Sequence, residues 1–220
     1  MSKTLYIISA ITGGMLTTGL MLLPSILSGK PHLILIDHRL QVFLVIMALW
    51  VVLEARGSNQ VMLHNEQRQH TWLPYVMSAS MLCLFLTSLT ERALSEITPF
   101  TILSIIGAIM MIAGVLLRYF AIRTLGNYFL DDVTVISGQP LITTGIYSRL
   151  RHPSEAGNLC IASGAAFLPG SWIGLAIAIF LVLPIVIIRI KLEDRMLMNH
   201  YPDTFPAYQQ DVPALLPFKL

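Results

Sequence analysis

Charge is scarce in this chain. Only 12% of its 220 residues are Asp, Glu, Lys or Arg, 55% are hydrophobic, and the formal net charge is +2. So small a balance leaves no basic footprint for nucleic acid. Cysteine is nearly absent as well: Cys83 and Cys160 both fall in apolar segments and read as two buried thiols rather than a disulfide or metal site. The six histidines have no ligand spacing, so no metal is expected, and no GxGxxG, Walker loop or HExxH occurs, which argues against a soluble-type nucleotide fold. No internal repeat or low-complexity tract is present.

What the chain has instead is long hydrophobic runs. Several approach the roughly 20 residues needed to cross a bilayer core, and most are apolar on every face. The expected class is all-α: a polytopic integral membrane helical bundle. Spans are expected near 4–27, 33–54, 72–90 and 99–121, followed by a pair near 157–168 and 172–190 joined by the turn "PGSW". That makes about six spans, or five if the short member of the last pair crosses only partly. The first run is too long and too lightly basic for a cleaved signal peptide and is expected to remain as a helix.

In the six-span arrangement Lys3, Arg56, Arg68, Arg118, Arg123, Arg149, Arg151, Arg189, Lys191, Arg195 and Lys219 collect on one side. Only Lys30, Arg39 and Arg92 fall on the other. This asymmetry predicts that both termini face the cytoplasm. Polar residues concentrate in two blocks on that side, 118–156 and 189–220, and chemistry is expected there. In "RHPSEAGN" (151–158) Pro153 suits the first turn of a helix, which would set His152 and free backbone amides at a helix start able to take a carboxylate. Gly157 would allow close approach of a backbone or a ligand. Arg189 and Glu193 stand four apart on the last helix and can share a face as an ion pair or around a ligand. The plain alternative for these residues, and for Arg118, is a topology-setting cation or an interfacial salt bridge.

The order of the motifs carries more than any one of them. "LLRYFAIRTLGNYF", "LITTGIYSRLRHPSEAG", an apolar hairpin, "RIKLEDRML" and "YPDTFPAYQQDVPALLPF" follow one another between about 116 and 218. This stretch resembles the isoprenylcysteine carboxyl methyltransferase family and, more loosely, the integral-membrane phospholipid methyltransferases. It departs from the family pattern where Glu155 stands for a Tyr and Asp194 for a Glu.

The resemblance implies S-adenosylmethionine as cofactor, bound at a cytoplasmic C-terminal site by Tyr147, His152, Pro153, Glu155, Gly157, Glu193, Asp194, Tyr201 and Tyr208, with Phe205 among the nearby tail aromatics. It also places Arg118, Arg189 and Glu193 as catalytic residues, the two arginines beside the acceptor and Glu193 holding the Arg189 guanidinium or the cofactor. The acceptor would be a lipophilic small molecule or lipid, most simply a carboxylate, in a bacterial inner membrane. Residues 1–110 would supply transmembrane helices and 111–220 the methyltransferase core. Two other readings stay open: a membrane reductase of the sterol-reductase type using NADPH, and a small transporter or lipid-binding membrane protein. Oligomeric state is not legible.

Overall fold

The computed structural model describes residues 19–57, 72–96, 101–130, 133–135 and 138–215. Most of the first expected span lies outside these residues. Two short helices, α1 (Leu23–Leu27) and α2 (Leu33–Ile36), lead into α3 (His38–Gly57), a helix of 20 residues. Then come α4 (Leu73–Leu94), α5 (Ile102–Leu125), α6 (Pro153–Phe167), α7 (Trp172–His200) and α8 (Phe205–Asp211). The described structure is helical, with two 3₁₀ turns at Gly126–Tyr128 and Gly145–Ser148 in the connection between α5 and α6.

Three of these helices are long and apolar enough to cross a membrane: α4, α5 (with its 3₁₀ extension to Tyr128) and α7. Side chains such as Leu27, 81% exposed, and Phe180, 80% exposed, point away from the protein on the outer faces. Apolar groups facing outward as well as inward fit a lipid surround. The short helix expected near 157–168 is real and begins earlier, at Pro153, but its 15 residues rise only about 22 Å. That is less than the ~30 Å hydrocarbon core. By length α6 is shorter than a full crossing, and the chain turns back through Leu168–Ser171.

Helix ends follow local chemistry. The Thr101 hydroxyl accepts from the Ser104 amide at 3.3 Å to start α5, and the Ser171 hydroxyl accepts from the Gly174 amide at 2.8 Å to start α7. Pro153 opens α6 as its spacing predicts. Pro184 sits inside α7, where its ring would collide with the Phe180 carbonyl; the helix absorbs this with a π turn over Ala178–Val182 and continues. At 29 residues α7 is about 43 Å long, so its last third, from near Arg189, emerges beyond the apolar layer.

Both cysteines are free thiols; Cys83, expected to be buried, is exposed on the outer face of α4, while Cys160 is half-buried.

Candidate active site

The site grows from the start of α6, the emerging end of α7 and the connection between α5 and α6. A cavity opens there with about 840 Å³ of free space including its mouth. Its apolar wall comes from Leu130, Val133, Leu141 and Ile142 in the connection, and from Met196 and Leu197 on α7. Its polar wall holds Tyr147, Arg151, His152, Ser154, Glu155, Arg189, Glu193, Tyr201 and Tyr208. Arg189, Glu193, Met196 and Leu197 are spaced i, i+4, i+7, i+8, which is one face of one helix.

The Arg151–His152 pair is bound to the tail rather than standing free. Its two backbone amides donate to the carbonyls of Pro213 and Ala214 at 2.9 and 3.0 Å, and Arg151 Nε donates to the Val212 carbonyl at 2.9 Å. Arg151 Nη1 reaches Asp194 Oδ2 at 2.6 Å. Both nitrogens of the His152 ring face carboxylates, Nε2 at 2.8 Å from Asp194 Oδ1 and Nδ1 at 3.4 Å from Glu193 Oε2. Burial alone would lower the imidazole pKa. The Glu193 charge and the hydrogen bonds to Asp194 and Glu193 outweigh it and raise it to about 9. His152 is therefore an imidazolium at neutral pH.

Two sequence expectations change here. Glu193 faces His152 while still feeling the Arg189 charge, and Arg189 Nε also meets Glu155 Oε1 at 2.9 Å. A buried carboxylate across the α6–α7 interface thus joins the neighbour one turn away in balancing the guanidinium charge. His152 likewise does not present a free ring to an incoming carboxylate, since both of its nitrogens are engaged by the protein's own.

Arg118 lies behind the cavity wall. It is buried, 7% exposed, and its guanidinium is satisfied from two helices. Nε donates to Glu54 Oε2 at 3.3 Å and Nη2 to Glu54 Oε1, while Nη1 donates to the Ser154 hydroxyl at 3.0 Å and to Asn158 Oδ1 at 2.9 Å. It is no snorkelling surface cation.

The other expected residues divide between wall and frame. Tyr201 and Tyr208 line the cavity, but their hydroxyls donate to the carbonyls of Gln139 and Tyr147, each at 2.6 Å, so they also fasten the tail over it. Burial raises the Tyr208 phenol well above its ordinary range, so it stays a donor. Phe205 is fully buried against Tyr208 and belongs to the frame. Asp194 serves the frame too, taking Arg151, His152 and Gln209. Pro153 initiates α6. Gly157 packs on α5, where a Cβ would come within 2.7 Å of the Gly114 carbonyl oxygen. Close approach of a backbone, one of its two anticipated uses, is what this contact shows.

Glu54, Ser154 and Asn158 were not anticipated. Ser154 and Asn158 sit in the quoted segment, four apart on α6, a signal that points to a shared face. Glu54 ends an apolar helix far upstream, and nothing local links it to Arg118.

With the fold and this geometry in hand, comparison with known proteins becomes specific. A family model described as phospholipid methyltransferase matches residues 102–204, the stretch that carries α5, the connection, α6 and α7. Over those residues, a little under half of the chain, it is similar to the phospholipid methyltransferase family. The chain is also similar to curated proteins. Protein-S-isoprenylcysteine O-methyltransferase of Saccharomyces cerevisiae is 30% identical over 117 residues, covering 52% of this chain and 49% of that protein. The protein of the same name from Xenopus laevis is 31% identical over 128 residues, covering 56% and 43%. A probable protein-S-isoprenylcysteine O-methyltransferase of Oryza sativa subsp. indica is 29% identical over 150 residues, covering 66% and 76%. The chain thus spans about half the length of the first two. Among solved structures, the eukaryotic intramembrane Ras methyltransferase, isoprenylcysteine carboxyl methyltransferase, superposes with a TM-score of 0.58 at 22% identity, over 82% of this chain and 68% of that one. The two share a fold. An integral membrane protein is thereby supported from both the helices and the likeness.

Proposed function

We propose that this chain is an S-adenosylmethionine-dependent integral-membrane methyltransferase acting on an amphiphilic acceptor whose reacting group is a carboxylate. The observation that carries it is the cavity itself: a pocket with one apolar wall and one wall of paired arginines and carboxylates, inside the methyltransferase-family segment and where α7 emerges from the apolar layer.

The lining suits the cofactor. Leu130, Val133, Leu141 and Ile142 offer an apolar surface for a nucleoside base, and Tyr201 and Tyr208 add ring faces that attract a cation. Glu193, beside the His152 imidazolium, and Glu155 would face the cationic groups of the amino-acid arm. When bound, S-adenosylmethionine supplies an electrophilic methyl group on a sulfonium.

The remaining work is done by the protein. Arg189 orients the acceptor, Arg118 holds α6 in register behind it, and the tail, fastened by Tyr201 and Tyr208, excludes water. A carboxylate is already nucleophilic, so alignment and desolvation matter more than proton transfer. In this arrangement α3, within 1–110, stands behind Arg118, and the cofactor cavity is lined from within 111–220. The Lys and Arg asymmetry supports placing the site and both termini on the cytoplasmic face of the membrane.

Isothermal titration of the purified chain with S-adenosylhomocysteine tests the proposal, with NADPH titrated in parallel. Saturable binding of the first and none of the second is expected; the reverse would move the assignment to the reductases. Arg189→Ala is then expected to lower the methyl-transfer rate on the order of 10²-fold while leaving S-adenosylhomocysteine affinity nearly intact, because the lost contact matters in the aligned complex. Arg189→Lys should not restore it, since an ammonium cannot reproduce the planar fork.

A further inference from the structure

We propose that Glu54 is a positioning residue for the transfer site: acting through Arg118, Asn158 and Glu155, it sets the place of Arg189, so that α3 belongs functionally to a site otherwise built from 118–208. This deepens the methyltransferase reading and rests on it.

The contacts form an unbroken chain across four helices. Glu54 on α3 takes Nε and Nη2 of Arg118 on α5 with its two oxygens. Arg118 Nη1 donates to Asn158 Oδ1 on α6 at 2.9 Å; the same amide donates from Nδ2 to Glu155 Oε2 at 3.1 Å; and Glu155 Oε1 meets Arg189 Nε on α7 at 2.9 Å. The interior members are buried: Arg118 is 7% exposed, Asn158 5% and Glu155 4%.

A guanidinium is a rigid planar fork, so fixing Nε and Nη2 on one carboxylate fixes the direction of Nη1. Asn158 then has its amide orientation dictated from both ends, oxygen toward a donor and nitrogen toward an acceptor. Glu155 is left one oxygen for Arg189. No link in this chain can rotate without breaking its neighbour.

Trp50, one turn before Glu54 on the same face of α3, lies with its ring centroid 5.9 Å from Arg118 Cζ. It offers a probe of the Arg118 position that needs no substrate. A pair that serves only folding would cost stability when broken but would not move Arg189.

The experiment uses the full chain in detergent micelles. Methyl transfer is read from tritiated S-adenosylmethionine to N-acetyl-S-farnesylcysteine, in a cycle of Glu54→Gln, Arg118→Ala and the double variant. Alone, Glu54→Gln should lower the transfer rate constant by ten- to a hundredfold, within the ~10²-fold that a misplacement of about 1 Å costs. Its S-adenosylhomocysteine affinity should change less than about twofold, Glu54→Asp should recover part of the rate, and in the Arg118→Ala background Glu54→Gln should cost nothing further.

In parallel, Trp72→Phe and Trp172→Phe, both at exposed positions, leave Trp50 as the single indole of the chain's three. Its emission should shift equally in Glu54→Gln, Arg118→Ala and the double variant. Independent, additive losses of rate or an unchanged Trp50 spectrum in Glu54→Gln would overturn the proposal. A wild-type chain that fails to bind S-adenosylhomocysteine would sink the methyltransferase reading instead, and the Trp50 cycle would still decide the relay.

Discussion

The imidazole of His152, 4% exposed, is held between two acids on one helix turn, which makes it a titratable clamp joining the start of α6 to α7. Its pKa is raised to about 9, above the ordinary 6.5, so the stabilisation it contributes is fully present below pH 6.5 and is lost as pH rises through 9. The thermal midpoint of the purified chain, followed from pH 6 to 10, should therefore fall across pH 7–10, by roughly 2–4 °C for each kcal/mol lost in a chain of this size. His152→Gln should flatten that profile while lowering the midpoint at pH 6.5. A profile unchanged by the substitution would show that another group titrates there. His152 was legible in the sequence as a site residue because of its place before Pro153. Its role was not: whether a histidine meets a ligand or its own protein's carboxylates depends on how α7 lies across α6.

Between α5 and α6 the interface is made of glycine. Gly107 meets Gly164 and Leu168, and Gly114 meets Gly157 and Ile161, with the two contacts seven residues apart on each antiparallel helix. A Cβ on Gly114 would stand 2.5 Å from the Gly157 carbonyl oxygen, and one on Gly164 the same distance from that of Gly107. Backbone cannot yield as a side chain does, so Gly114→Ala and Gly164→Ala should each cost about 1–3 kcal/mol and lower the thermal midpoint in micelles. Gly19→Ala, with nothing within 4 Å of the added carbon, serves as the comparison. Gly114→Ala should also reduce turnover more than Gly164→Ala, because it lies one turn from Arg118 and would draw the guanidinium away from Ser154 and Asn158. The run of small residues over 157–166 announced close packing. The partner did not announce itself, since Gly107 and Gly114 are two glycines in an otherwise ordinary apolar helix.

For the whole molecule, charge at the two ends of the bundle is handled differently. The site end gathers Arg118, Arg151, Arg189 and the His152 imidazolium against Glu54, Glu155, Glu193 and Asp194. At the other end Arg92 pairs with Asp37 between α4 and the α2–α3 junction, and Glu91 accepts from the Ser171 hydroxyl and the amides of Trp172 and Ile173. An acid at the start of α7 complements the helix dipole, and this end pins three helices together. Arg92→Ala, which removes the ion-pair partner of the buried Asp37 and leaves it the Arg39 amide, should destabilise the fold by about 3–5 kcal/mol while sparing S-adenosylhomocysteine affinity in the protein that remains folded. Orientation has its own measurement. In a chain with Cys83 and Cys160 replaced by Ala, a cysteine at Thr143 should react with impermeant maleimide only in inverted vesicles, and one at Glu96 only in right-side-out vesicles. Labelling in the opposite sense would put the site on the outer face.

Composition by itself determined that this chain is solvated by lipid, because so few charges cannot cover a water-facing surface. The order of its motifs carried the likeness to the methyltransferases, because spacing along 116–218 survives without knowledge of contacts. Helix starts at Thr101, Pro153 and Ser171 were local as well. The tertiary structure alone decided who partners whom. Glu54 and Arg118 are 64 residues apart, and Glu155 and Arg189 lie on different helices. Periodicity names the polar side chains of a helix face, but the ion pair each one makes depends on which helix covers that face, and Arg189 meets a carboxylate brought by α6 that its own helix does not announce. The same tertiary step turned a run of glycines into the α5–α6 seam, and so placed Arg118 against the wall of the cavity.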